Sequence, residues 1–216
     1  MENTESTISK EQIIEGFIKY ALENEKYPKS AYQLAKFIGI TEKDFYQYFG
    51  SIQAVESAIW VSFFEITLKT IEADEVYAKY SVREKLLAFY YMWLETLKEN
   101  RSYILFATEN LQPTQLIPAY LKEFREKFTT YVENLLAEGK ETGEVASRQF
   151  IDRSYPFIFW MQALLILRFW LKDTSKNFEQ TDAFVEKAVN FAFDFVGKTV
   201  FDSAFDFAKF VFQNRK

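Results

Sequence analysis

The chain has 216 residues, of which 49% are hydrophobic and 19% aromatic, and its formal net charge is −5. This length and apolar content exclude a disordered protein and predict a well-buried core, built as one body or as a small head and a larger body. The chain has no Cys and no His, which excludes disulfides and thiolate sites, favours a reducing cytoplasm and removes the commonest general base and metal ligand.

The sequence offers no catalytic motif. Only 6 Gly are present, and none belongs to a phosphate-binding GxxxxGK or GxGxxG loop. The carboxylates of Asp202 and Asp206 lie at helical spacing, which is typical of the solvated face of a helix. We therefore expect a protein without enzymatic activity, cofactor or metal.

No targeting or membrane-spanning segment is predicted. The N-terminal residues are polar and acidic up to Ile8, which is not the pattern of a signal peptide. The most apolar run, residues 157–171, contains Gln162 and Arg168 and is shorter than the roughly 18–20 residues that span a bilayer. It predicts a buried helix and no stable membrane insertion.

In chain order, the first predicted helix begins at the capping box of residues 9–12 and ends before Pro28. Residues 30–49 then predict a helix-turn-helix. Ser30 is the expected N-cap of one helix, Gly39 the left-handed residue of a sharp turn, and Thr41 the N-cap of a second, short helix. A short helix held across another by a tight turn places side chains in the major groove of DNA.

Five longer helical segments follow, and no stretch shows the period-two alternation of a strand. They are predicted at about residues 52–73, 82–98, 119–138, 150–171 and 178 to the C-terminus, with Pro113 and Pro118 bracketing a broken stretch and Gly139 ending the third segment. The predicted fold is all-α, with a three-helix head in residues 1–51 and a larger helical-bundle body in residues 52–216.

This pattern resembles the tetracycline-repressor (TetR) family of transcriptional regulators. The resemblance implies a cytoplasmic one-component regulator, in the simplest case a repressor, that binds operator DNA as a homodimer held together by its last two long helices. It also implies an apolar small molecule or lipid in the body, whose binding moves the connecting helix after the head. The resemblance covers about residues 8–60 and is carried by Leu34, Ala35, Gly39, Ile40, Thr41, Phe45, Tyr46, Tyr48 and Phe49.

By the same resemblance, the head contacts DNA through residues around its turn. Ser30 and Tyr46 would contact phosphates, and residues 42, 43, 44, 47 and 48 would face the groove. The predicted DNA-binding residues are Lys29, Ser30, Thr41, Glu42, Lys43, Asp44, Tyr46, Gln47 and Tyr48.

The head departs from the family in its charge. The family commonly has Ser-Lys-Glu after the second helix, where this chain has Ser51-Ile52-Gln53, and residues 1–60 contain six Lys, nine Asp or Glu and no Arg. Locally, Asp44 suits a capping box and Glu42 the positive end of the helix dipole. Neutralised phosphates supply most of the sequence-independent affinity for DNA. Two functions therefore stay open, a DNA-binding regulator and a lipid-binding protein of the same fold whose head no longer binds DNA.

The predicted ligand residues come from helices that line the cavity in the resembled family, although each aromatic residue is also compatible with plain core packing. Arg168 lies within an apolar run, so it must reach the surface or pair with an acid. The candidate acids are Glu95, Glu109 and the carboxylate of a fatty-acid-like ligand. The predicted ligand-binding residues are Tyr90, Trp93, Tyr103, Phe106, Phe124, Phe128, Phe159, Gln162 and Arg168.

A second similarity lies near the C-terminus. Residues 173–184 are similar to a motif in the lipid-binding accessory proteins of ubiquinone biosynthesis, which implies an isoprenoid lipid as ligand. The alternative is a helix-start signal, in which Asp, Ser or Thr caps the final helix and Phe178 packs as its hydrophobic staple. The apolar stripes of residues 184–195 and 200–212 predict a dimer interface, with contact to a membrane surface as the alternative.

Overall fold

The computed structural model describes residues 8–109, 118–147 and 152–197. Within these ranges the chain forms helices and no strand, which confirms the predicted all-α fold. The helices are α1 (Lys10–Asn24), α2 (Ala31–Ile38), α3 (Glu42–Tyr48), α4 (Ile52–Glu72), α5 (Val82–Lys98), α6 (Arg101–Thr108), α7 (Lys122–Thr142), α8 (Tyr155–Lys172) and α9 (Glu179–Val196). Short 3₁₀ turns lie at Tyr77–Lys79, Ala119–Leu121, Asp152–Ser154 and Lys176–Phe178.

The chain divides into two compact units. The first unit comprises Met1–Ile66 and Glu95–Glu126, and the second comprises Thr67–Leu94 and Lys127–Lys216. Helices α4, α5 and α7 each contribute residues to both units. The predicted boundary near Ser51 divides a head from a body. It does not coincide with the division into these two compact units, and it stays a prediction.

The first unit is built around α1, which packs against α2 and α6, while α2 packs against α3. Apolar side chains of α1, α2 and α3 form its core: Ile13, Phe17, Leu34 and Phe45 are all 1% exposed or less. Gly16 allows α2 to lie close to α1, because a Cβ atom at this position would overlap the Cγ2 atom of Ile38.

The second unit is organised by the contact between α8 and α9. Helix α8 is buried along most of its length, and α9 buries the stripe of Val185, Val189 and Val196. Polar groups tie the two helices together, since Gln162 Nε2 donates a hydrogen bond of 2.6 Å to the carbonyl oxygen of Ala188.

Tryptophans anchor the cores of both units. Trp60 belongs to the first unit, and the other three tryptophans belong to the second. Side chains of this size dominate core energetics, because each buries a large apolar area. The fully buried tryptophans, each 1% exposed or less, are Trp60, Trp93, Trp160 and Trp170.

The prediction that Gly139 ends the third body segment is wrong, because α7 continues to Thr142. The residue after the helix that adopts the left-handed conformation is Gly143, with φ 82°. Gly139 instead lies at a close approach inside the helix, where an added Cβ atom would lie 2.6 Å from Val145 Cγ2 and 2.9 Å from Val82 Cγ2.

Some predicted features differ from the structure, and others lie outside the described residues. Helix α6 has no counterpart among the predicted segments, and α8 begins at Tyr155 after a short 3₁₀ turn. The Pro113 position and the apolar stripe of residues 200–212 lie outside the described residues. None of the helices in the described ranges is long and apolar enough to cross a membrane.

Candidate functional site

The helix-turn-helix predicted from residues 30–49 is present. The Ser30 hydroxyl oxygen accepts a hydrogen bond of 3.2 Å from the Gln33 backbone N–H and caps α2. Gly39 follows α2 in the left-handed region with φ 77°, a conformation that favours glycine. The Ile40 N–H then donates to the Ala35 carbonyl oxygen at 2.9 Å, so the sharp turn keeps its backbone groups paired.

The start of α3 is fixed by the predicted capping box. Asp44 N–H donates to Thr41 Oγ1 at 3.2 Å, and the Thr41 N–H donates to Asp44 Oδ2 at 3.0 Å. The Thr41 hydroxyl and the Thr41 backbone N–H both donate hydrogen bonds to the Asp44 carboxylate, and these bonds hold the pKa of Asp44 below its usual value. The presence of an acidic residue at position 44 is therefore explained by its role in the capping box.

The predicted contact residues of α3 lie largely on the surface. Tyr46 is 56% exposed, and Lys43 and Gln47 are exposed beside it. The Tyr48 hydroxyl donates a hydrogen bond of 2.6 Å to the Ile8 carbonyl oxygen. Tyr48 therefore ties α3 to the segment before α1, which the sequence pattern does not indicate.

Three lysines provide the positive charge of this surface. Lys29, Lys36 and Lys43 are exposed and form no ion pair with any residue in the part of the chain that the structure describes. Lys29 precedes the cap of α2, Lys36 lies in its last turn, and Lys43 lies in the first turn of α3. Glu42 is exposed in the same first turn, which reduces the local positive charge. An exposed tyrosine that sequence reasoning missed, Tyr32, is 59% exposed near the start of α2.

The predicted ligand residues fall into two groups. In the second unit the Tyr90 hydroxyl donates to Gln162 Oε1 at 3.1 Å, and the rings of Trp93 and Phe128 lie 6.5 and 6.2 Å from the Tyr90 ring. The Phe159 carbonyl oxygen also lies 3.5 Å from the Tyr90 hydroxyl. Five of the nine predicted residues are thus brought together in one aromatic core.

That core is almost closed to solvent. Tyr90 is 0% exposed and Gln162 is 9% exposed, and burial raises the pKa of the Tyr90 phenol well above its usual value. The Gln162 side chain uses both of its polar ends on protein groups. Arg168 is half-buried further along α8.

The remaining three predicted residues lie in the first unit. Phe106 packs edge-on against Tyr27 at 5.0 Å, and Tyr103 packs edge-on against Phe17 at 6.4 Å. Phe124 contacts the ring of Trp60 at 6.4 Å. Around these rings lie polar groups that sequence reasoning missed, above all Glu56, which occupies a half-buried position on α4.

The motif at residues 173–184 forms a cap for α9. Asp173 Oδ2 accepts hydrogen bonds from the Thr181 N–H at 2.9 Å and the Thr181 hydroxyl at 2.6 Å, and Ser175 Oγ accepts from the Gln180 N–H at 3.2 Å. Burial opposes ionisation of Asp173, but the bonds from Ser175 and Thr181 outweigh it and lower its pKa to about 2. Phe178 packs against Trp170 at 5.8 Å, so these contacts fit the helix-start alternative.

Among the residues that the structure describes, no group of three or more carboxylates is arranged to hold a metal ion. The side chains brought together in the two aromatic regions are mainly aromatic rings, with phenol hydroxyls, indole N–H groups and the Gln162 amide as polar groups. The arrangement can therefore recognise a molecule by apolar contact and a few hydrogen bonds.

The family model described as "Tetracyclin repressor-like, C-terminal domain" matches residues 85–211, which is more than half of the chain. No curated protein matches the sequence.

Solved structures of TetR regulators share the fold. A TetR transcriptional regulator from Nitrosomonas europaea is 16% identical, with a TM-score of 0.60 over 85% of this chain and 96% of that one. The fatty acid degradation regulator FadR from Bacillus halodurans is 17% identical, with a TM-score of 0.62 over 89% of this chain and 97% of that one. A TetR/AcrR regulator from Thermobifida fusca is 23% identical, with a TM-score of 0.52 over 86% and 96%.

At these identities the solved structures show the fold alone. The family model matches residues 85–211, which lie within the predicted body, and the helix-turn-helix of the predicted head has the expected caps and turn. The chain belongs to the TetR family of transcriptional regulators.

Proposed function

We propose that this protein is a homodimeric, cytoplasmic regulator that binds operator DNA through residues 30–49 and releases it when an apolar molecule binds. The observation that carries the proposal is the capped helix-turn-helix, whose exposed side chains include Lys29, Lys43, Tyr46 and Gln47. Helices of this kind enter the major groove, and Lys, Tyr and Gln side chains supply contacts to phosphates and base edges.

Binding to the DNA that flanks its own gene tests this function. Fluorescence anisotropy of labelled fragments is expected to show saturable binding at low salt that is weakened by Gln47→Ala, because Gln47 lies exposed on α3. The matched control is Gln180→Ala, an exposed glutamine on α9, away from the helix-turn-helix in the chain. Absence of binding at low salt, or an equal loss in both variants, would contradict the proposal.

The dimer is supported by an apolar face on α8 and α9. Phe191 is 75% exposed and Phe195 37%, and on α8 Leu165 is 55% exposed. The rings of Phe169 and Phe184 stack at 4.3 Å between the same two helices, so this face is continuous across them. Obligate dimer interfaces are apolar in this way.

A fatty-acid-like compound is the first ligand to test in the second unit. The B. halodurans relative is described as a fatty acid degradation regulator, and here the half-buried Arg168 lies on the helix that carries Phe159 and Gln162. We expect oleate to bind, and Arg168→Gln to weaken its binding about tenfold through loss of a charge-assisted bond. Methyl oleate, which lacks the carboxylate, serves as the control. In calorimetry its affinity should be the same for the wild type and for Arg168→Gln.

The alternative function is a lipid-binding protein that does not bind DNA. It is favoured by the composition of residues 1–60, which include the head and contain no Arg and more acidic residues than lysines. Mass spectrometry of molecules that co-purify with the protein distinguishes the two functions when it is combined with the anisotropy measurement. A co-purified lipid together with absent DNA binding would support the alternative and contradict the regulator.

A further inference from the structure

A hydrogen bond joins the end of α3 to the residue that precedes the cap of α1. The Tyr48 hydroxyl donates to the Ile8 carbonyl oxygen at 2.6 Å, across 40 positions of the chain. Helix α1 packs against α2, and α2 packs against α3. The bond therefore connects α1 and α3 directly, and both of its residues belong to the first unit.

The start of α1 presents the Ile8 carbonyl oxygen in a defined direction. Ser9 caps the helix in an extended conformation: its N–H donates to Gln12 Oε1 at 2.9 Å, and its hydroxyl oxygen accepts from the Gln12 N–H at 3.2 Å. The helical ladder begins with the bond from the Ile13 N–H to the Ser9 carbonyl oxygen at 3.3 Å. The Ile8 carbonyl stands outside this ladder, so it can accept a bond from α3.

Helix α3 depends on its neighbours for its orientation. It has seven residues, and Phe45 is its buried side chain. Helices of this length are unstable in isolation, so contacts with the rest of the fold hold them in place. Directly after Tyr48, the ring of Phe49 lies 6.0 Å from Lys10 Nζ, a distance at which an ammonium group and a ring attract each other. Two contacts thus fix the end of α3 against the start of α1.

The same hydrogen bond limits what Tyr48 can do at a DNA surface. A phenol has a single O–H proton, and phosphate oxygens act as acceptors. A phosphate that accepted this proton would break the bond to Ile8. Tyr48 is 38% exposed, whereas Tyr46 on the same helix is 56% exposed. Tyr46 is therefore the better phosphate contact of the two.

We propose that Tyr48 is a positioning residue of the surface that binds DNA. Its bond to Ile8 fixes the angle of α3, so that the exposed Lys43, Tyr46 and Gln47 approach the DNA together. This role replaces the groove contact that the family resemblance implies for residue 48. It rests on the proposed function, because the positioned surface is the one proposed to bind operator DNA. Loss of the bond leaves α3 folded but free to tilt.

Hydrogen exchange of the free, full-length protein tests the bond without DNA. We expect Tyr48→Phe to speed amide exchange in α3 about three- to tenfold, the equivalent of one hydrogen bond. Tyr46→Phe removes a more exposed hydroxyl from the same helix, and as the matched control it should leave the exchange rates unchanged. Circular dichroism melting verifies that both variants are folded. Equal exchange rates in Tyr48→Phe and the wild type would overturn the proposal.

Binding to the DNA that flanks the gene separates positioning from direct contact. In anisotropy measurements, Tyr48→Phe should weaken binding by the full-length protein about three- to tenfold. A chain that begins at Ser9 lacks the Ile8 carbonyl, and mass spectrometry verifies that its initiator Met has been removed. In that chain Tyr48→Phe should cause no further loss, whereas Tyr46→Phe should weaken binding as much as in the full chain.

A chain that begins at Ile8 is the matched control for this truncation, because it keeps the acceptor. Here Tyr48→Phe should weaken binding as it does in the full-length protein. A loss of equal size in the chains that begin at Ser9 and at Ile8 would mean that the hydroxyl contacts DNA directly, and would overturn the proposal. Absence of DNA binding at low salt would refute the proposed function, while the exchange rates would still decide whether Tyr48 fixes α3.

Discussion

At the scale of single residues, the head depends on a missing side chain at Gly16. Gly16→Ala introduces a Cβ atom that overlaps Ile38 Cγ2, so α1 and α2 must move apart. We expect a loss of about 1–3 kcal/mol in the free energy of unfolding, as for other overpacked cores. Denaturant unfolding followed by circular dichroism measures it.

Gly50→Ala is the matched control for this substitution. No atom lies within 4 Å of a Cβ placed at Gly50, and its backbone is not in the left-handed region. The free energy of unfolding of Gly50→Ala should equal that of the wild type or exceed it by about 0.4–1 kcal/mol. If both variants were equally stable, the close approach of α1 and α2 would not constrain residue 16.

Asp173 makes the stability of the protein depend on pH in a defined direction. The carboxylate has a folded-state pKa of about 2, below the usual value of about 3.9 in an unfolded chain. Its contribution to stability is therefore present above about pH 4 and is lost as the pH falls through about 2. Asp173→Asn should lower the melting temperature at neutral pH, and its difference from the wild type should shrink between about pH 4 and 2.

Glu186→Gln, at an exposed position of α9, is the control for this measurement. It should match the wild type in melting temperature across the same pH range. A difference between Asp173→Asn and wild type that stayed constant down to about pH 2 would show that ionisation of Asp173 does not stabilise α9.

At the scale of helices, the face formed by α8 and α9 should determine assembly. Phe191→Glu places a charge on a ring that is 75% exposed, and we expect the dissociation constant of the dimer to rise about thirtyfold or more, the magnitude of an interface hot spot. Light scattering after size-exclusion chromatography gives the mass. Leu22→Glu, on an α1 residue that is 40% exposed, should remain dimeric.

The helices that could be predicted from the sequence are those with local start and stop signals. The capping boxes at Ser9 and Thr41 and the left-handed Gly39 act within a few residues, so their spacing alone locates α1 to α3. Helix α6 has no side-chain cap at Asn100, and it was not predictable on those grounds. The true end of α7 depends on packing of Gly139 against Val145 and Val82, which a sequence pattern does not reveal.

The candidate sites could be predicted only in part, for a similar reason. Five residues predicted from the resemblance lie together around Tyr90, and their role in ligand binding stays a prediction. Glu56 was missed because the phenols whose pKa it raises, those of Tyr27, Tyr103 and Tyr120, come from distant parts of the chain. Contacts of this kind arise from the fold of the first unit and have no local sequence pattern.

At the scale of the whole molecule, the scarcity of cations should appear in the salt dependence of DNA binding. A dimer offers two copies each of the exposed Lys29, Lys36 and Lys43. About 0.9 counterions are released for each neutralised phosphate. The slope of the logarithm of the binding constant against the logarithm of the salt concentration should therefore be negative, with a magnitude of no more than about 5. Anisotropy titrations between about 50 and 200 mM KCl measure it.

Lys43→Gln removes two of these charges from a dimer and should reduce the slope by about 1.8. Lys176→Gln, at an exposed position near the start of α9, should leave the slope unchanged. A wild-type slope much above 5 would mean that cations outside this surface contact the DNA.

The distribution of the four buried tryptophans provides intrinsic fluorescent reporters for the two units. One indole, that of Trp60, belongs to the first unit and three belong to the second. Because all four are shielded from water, native emission should lie at short wavelength and resist quenching by acrylamide. A variant with Phe at 93, 160 and 170 would emit from Trp60 alone, so unfolding of the first unit could be timed by a red shift without any attached dye.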